Sequence, residues 1–155
     1  MQFINYFFAS VVSFSGLVVG MLLAKIAPEE QKPLEKYFDF ARKTLLLAIF
    51  IFLAFYFFSN YASLLVLLGY FAFVMLIEFK LKDVFKKTIV TYTVLGILFF
   101  LSSKNMNLFV IESSLVMLYG IPTASLLCKR KDKNHYKVLL YNIGFVIIAN
   151  LLFFL

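Results

Sequence analysis

The chain has no tryptophan, one cysteine, one histidine and only three prolines and six glycines. A single cysteine, Cys128, cannot close an intrachain disulfide. With one histidine, His135, beside it, the chain lacks the four ligands that a structural zinc site takes. Charge is sparse at 15% of residues, and the eight acids are fewer than the fifteen lysines and arginines. The acids lie mostly in polar stretches and never pair at a spacing suited to acid–base work. No cluster of carboxylates could hold a magnesium ion. The sequence has no H-E-x-x-H or C-x-x-C, no Walker loop and no G-x-S-x-G. These absences predict a protein that is not an enzyme, with no metal and no cofactor.

What the chain has in excess is apolar surface. Of its 155 residues 63% are hydrophobic, and the mean hydropathy is +0.95. A soluble domain of this size is closer to half apolar, and one core could not hide so much. The apolar residues gather in six blocks, at about 3–26, 44–58, 62–79, 88–101, 108–128 and 138–155. A hydrocarbon core of ~30 Å takes about 20 helical residues. The blocks therefore predict an all-α integral membrane protein, with residues 1–155 forming one polytopic domain of six transmembrane helices. The first block follows Met1-Gln2 with no basic segment before it, so it is expected to be a retained helix rather than a signal peptide.

Charge placement sets the expected topology. Lys25, Lys32, Lys36, Arg42 and Lys43 follow or rim block one. Lys80, Lys82, Lys86 and Lys87 follow block three, and Lys129, Arg130, Lys131, Lys133 and Lys137 follow block five. Lys104 stands alone after block four. Lysine and arginine collect on the cytoplasmic side. Three hairpins with both termini outside put every cation but Lys104 on that side. Blocks two and three then form a hairpin around Ser59-Asn60-Tyr61, residues suited to a tight turn. The net charge of +7 is expected to meet anionic lipid head groups at the cytoplasmic face of the plasma membrane. No nucleic-acid-binding motif accompanies it.

Two blocks are short for a span. Block four is expected to start earlier, at Asp83, with Lys86 and Lys87 snorkelling to the head groups. Ahead of block two, Pro33 suits a first helical turn. Leu34, Tyr37, Phe38 and Ala41 then recur at helical spacing, beside a polar face of Glu35, Lys36, Asp39 and Arg42. Residues 33–43 read as a short interfacial amphipathic helix leading into the second span. Glu78, near the end of block three, has a ready partner in Lys82 at i+4.

Block five is the least lipid-like. Glu112, Tyr119 and Thr123 stand at i, i+7 and i+11 and share one face, with Ser113 and Gly120 beside it. Pro122 removes a backbone hydrogen bond and can free carbonyls near Leu118 and Tyr119. An intramembrane carboxylate is a functional-site candidate by default and suits proton coupling. The competing reading places Glu112 one turn inside the outer boundary, in reach of water or Lys104. Block one carries Asn5, Ala9, Ser13, Gly16 and Gly20 along one stripe, a helix-packing surface inside the bundle or between subunits. Thr91, with Tyr92 and Thr93, and the amides Asn142 and Asn150 are further intramembrane polar groups, read first as interhelical glue. His135 and Cys128 read as an exposed loop residue and a packing residue.

Two functions fit. One is a transporter or channel-like protein whose polar path follows the fifth helix. The other is a non-catalytic structural or accessory subunit packed against a partner membrane protein, whereas the first works as a homo-oligomer or as a single six-helix unit. The first places Glu112, Tyr119 and Thr123 inside the bundle; the second turns the glycine stripe outward.

Overall fold

A computed structural model describes residues 2–58, 61–81, 83–128 and 135–154. Among these, the chain is helical throughout: α1 (Phe3–Ile26), α2 (Glu35–Phe57), α3 (Tyr61–Lys80), α4 (Val84–Ser102), α5 (Met106–Cys128), α6 (His135–Asn142) and α7 (Gly144–Phe153). The last two run on with scarcely a break, because the Ile143 amide still reaches the Leu139 carbonyl at 2.9 Å. Six helices, counting Tyr136–Phe153 as one, are long and apolar enough to cross a membrane. The chain thus has the make-up of a small multi-pass membrane protein. The turn expected at Ser59 and Asn60 and the basic stretch 129–134 lie outside the described residues.

Helix ends follow from local chemistry. Pro28, which cannot continue a hydrogen-bonded helix, opens a short 3-10 turn directly after α1. Asp83 caps α4, its carboxylate accepting from the Phe85 amide at 3.1 Å. Asn105 does the same for α5, accepting from Asn107 and Leu108 at 3.0 and 3.1 Å. The amphipathic helix expected at 33–43 does lead into the second span, but as the first part of α2 and without Pro33 in its first turn. Pro33 sits in the turn before α2, and one unbroken helix runs from Glu35 into the second span. Tyr37 is exposed, whereas Arg42, assigned to the polar face, is buried. Arg42 is in helical phase with buried Leu46, Ile49 and Leu53, so it lies on the face that packs inward.

α5 is the central helix, packed against α1, α2, α4 and α6. Its tightest contact is with α1, where Gly16 and Gly20 face Met117, Ile121 and Ala124. Gly120 faces back toward Gly16 and Leu17. Three missing side chains bring the two backbones together, which increases van der Waals contact along the whole crossing. Gly96 plays the same part between α4 and α7; a Cβ there would stand 2.9 Å from the Phe145 carbonyl oxygen. Tyr6, Phe99, Phe109 and Phe145 fill one end of the core as an aromatic cluster with ring centroids 4.9–5.6 Å apart. α3 is peripheral. It touches α2 and α4 and buries only Leu67 and Val74 among its apolar residues.

Candidate functional site

The polar face of α5 lies inside the bundle. Glu112, Tyr119 and Thr123 are each 0% exposed. Gly120 and Pro122 are buried and Ser113 is half-buried. Both carboxylate oxygens of Glu112 are buried with no hydrogen-bond partner among the described residues. The boundary reading of Glu112 therefore needs correction: the side chain reaches neither solvent nor Lys104, because it points into the helix bundle rather than along its rim. The phenol oxygens of Tyr119 and Tyr92 are buried and make no hydrogen bond among the described residues, and their rings lie 5.7 Å apart. Buried polar groups are normally hydrogen-bonded, so each of these three side chains is an exception.

Pro122 stands within α5, where the carbonyl four residues earlier, that of Leu118, loses its helical donor. The next carbonyl, that of Tyr119, also accepts the Thr123 hydroxyl at 2.7 Å. Ser113 has a different role from a path residue. Its carbonyl accepts the Ser13 hydroxyl from α1 at 3.1 Å, and its own hydroxyl bonds back to Phe109. Gly120 serves the crossing with α1.

The stripe on α1 splits. Ser13, Gly16 and Gly20 are buried and Ala9 is half-buried, all facing the bundle. Asn5 is exposed, and the neighbouring Tyr6 takes the inward position, donating to the Ala149 carbonyl at 2.9 Å. The phenol fills the core and satisfies its hydroxyl, whereas an amide there would do only the second. Asn150 donates to the Ser10 hydroxyl at 3.0 Å and links α7 to α1. Asn142 and Thr91 bond within their own helices, to the Val138 and Lys87 carbonyls.

The largest departure from the sequence reading is an ion-pair cluster where the start of α2, the end of α3 and the start of α4 meet. Arg42 is 1% exposed and donates through both terminal nitrogens to the Glu78 carboxylate, at 2.8 and 2.7 Å. Lys87 reaches the Glu78 carbonyl at 2.6 Å and its carboxylate at 3.4 Å. Asp39, half exposed, approaches Arg42 at 3.4 Å and pairs with Lys43 at 2.5 Å. Glu78 is thus held by α2 and α4; Lys82 lies outside the described residues. Lys87 turns inward to a carboxylate instead of snorkelling outward. Phase could have found both partners: Glu78 stands four residues from Val74 and eleven from Leu67, the buried positions of α3. α2, which carries Arg42, packs against α5.

Among the described residues, no three histidine, cysteine or carboxylate side chains come together as a metal site. No family model, curated protein or solved structure matches this chain.

Proposed function

We propose that the protein is a small transporter or channel-like protein that carries protons or a small cation along the inner face of α5. The reading rests on Glu112. A carboxylate buried with neither oxygen bonded persists only by holding a proton or a cation. Tyr119 stands two helical turns further on, about 10 Å along the axis. Tyr92 flanks it from α4, and the Arg42–Glu78 cluster follows at the end of α5 that carries the basic residues. Glu112 takes the proton or cation from one side. The phenols and the water they would hold relay it toward the other.

The orientation we propose puts the segments near Lys36, Lys86 and Lys131 in the cytoplasm and both termini outside. The sorting of cations along the chain supports it. The accessory reading has less support, because its docking stripe, Gly16 and Gly20, is already covered by α5.

The test is proton or cation flux into liposomes holding purified protein and a trapped fluorescent indicator. Glu112→Gln keeps the shape and removes the exchangeable charge. Flux should fall to the level of empty vesicles. Flux unchanged from wild type would refute the proposal.

A further inference from the structure

A hollow of about 240 Å³ lies where the end of α2, the start of α3 and the end of α4 meet. Ala62 and Ser63 give α3 little bulk there, and Phe57 and Leu101 form the walls from α2 and α4. Buried Leu67 lines this hollow and also a second one, of about 140 Å³, in the seam between α2 and α3. The second has apolar walls throughout. Together they follow α2 from Leu47 to Phe57, about 15 Å along its axis. Apolar hollows do not hold water. Inside a membrane they fill with hydrocarbon, and a seam of this length suits one acyl chain.

The rim of the larger hollow is different. Lys104, on the turn between α4 and α5, supplies the one charge of its lining among the described residues. It makes no ion pair there, and Glu112, the acid nearest to it in sequence, is buried inside the bundle. Lys43, Lys80 and Lys87 lie toward the opposite ends of α2, α3 and α4, so this cation stands apart from the other basic residues. An apolar seam with one unpaired cation at its rim is complementary to an acyl chain that carries one negative charge.

We infer that the hollow between α2, α3 and α4 binds one anionic phospholipid, with an acyl chain against Phe57 and Leu67 and the phosphate on the Lys104 ammonium. Val66 lines the hollow and is itself exposed beside Leu65 and Leu68, so the site opens toward the bilayer. A phospholipid of the adjoining leaflet can enter sideways and keep its head group at the surface. The lipid adds packing to α3, which has only Leu67 and Val74 buried and Tyr70 and Phe71 set partly against the core. The inference goes beyond transport and does not depend on it.

The chain has no tryptophan, so Phe57→Trp places a single fluorophore in the wall of the hollow. The variant is reconstituted in phosphatidylcholine vesicles holding a small fraction of phosphatidylglycerol with dibrominated chains, which quench on contact. The same fraction of dibrominated phosphatidylcholine is the reference. One cation at the head groups corresponds to a preference of about fivefold for the anionic lipid. That preference should vanish in Lys104→Gln. A tryptophan at Phe8, exposed near the same end of the bundle, should show none. Leu101→Trp repeats the reading from α4, should Phe57→Trp fail to fold. Equal quenching by the two lipids, a preference that survives Lys104→Gln, or the same preference in Phe8→Trp overturns the site. Full relief of the quenching by an equal fraction of unlabelled oleate would give the hollow to a free fatty acid and overturn the phospholipid. Flux enters none of these readings, so loss of the transport reading leaves the site standing.

Discussion

Gly120 of α5 sits directly on the backbone of Gly16 of α1: a Cβ on Gly120 would stand 2.7 Å from the Gly16 carbonyl carbon and 2.6 Å from the Leu17 amide nitrogen. Neither obstacle is a flexible side chain, so the helices would have to separate. Gly120→Ala should destabilise the bundle by about 1–3 kcal/mol. Gly16→Ala should do at least as much, since its new methyl collides with the Met117 carbonyl. Gly69→Ala, with open space around it, should be neutral or slightly stabilising through helix propensity. Thermal unfolding in detergent checks the contrast. Equal midpoints for Gly120→Ala and Gly69→Ala would show that the α1–α5 crossing is not this close.

Arg42 and Glu78 should behave as a unit. Arg42→Met removes the main partner of a buried carboxylate, and a loss of about 3–5 kcal/mol is expected. Arg42→Met combined with Glu78→Met should lose far less than the two single changes together, because no charge is left stranded on that bond. The half-exposed pair of Asp39 with Lys43 should contribute no more than about 1 kcal/mol. A double-mutant cycle on unfolding midpoints gives the coupling; additive losses would deny the buried pair.

Stability and flux should move in opposite directions at Glu112. Glu112→Leu removes two unbonded buried oxygens and fills the same space with apolar atoms. The bundle should gain about 1–3 kcal/mol while flux disappears. A destabilised Glu112→Leu protein would mean that the carboxylate has a structural partner.

Tyr6 gives a measure of ordinary interior bonding for comparison. Tyr6→Phe keeps the ring against Phe99 and Phe109 and loses only the bond to the Ala149 carbonyl. A loss of about 0.5–1.5 kcal/mol in the same unfolding assay is expected. A loss several times larger would point to rearrangement of the aromatic cluster.

The helical blocks were legible because hydropathy is a local property. Runs of apolar residues are countable without knowing what they touch. Their ends were less legible where charge intrudes. The apolar run of the second block covers only 44–58 and its charged lead-in 33–43, whereas α2 is one helix from Glu35. Arg42 looked like a rim residue because its partner, Glu78, is 36 residues away in sequence. The polar face of α5 was legible as a face, since Glu112, Tyr119 and Thr123 keep helical phase. Its surroundings were not, because Tyr92 and Arg42 come from other helices.

The sequence alone determined that this chain forms long apolar helices, where its cations concentrate, and which residues share a helical face. Composition and a repeat of 3.6 residues suffice for that. Only the tertiary structure decided which helix covers each face. It set Gly16 against Gly120, closed Glu112 off from solvent and joined Arg42 to Glu78. The physical reason is that a period along one helix says nothing about its neighbour. Close backbone approach and charge pairing depend on atoms brought together from distant parts of the chain.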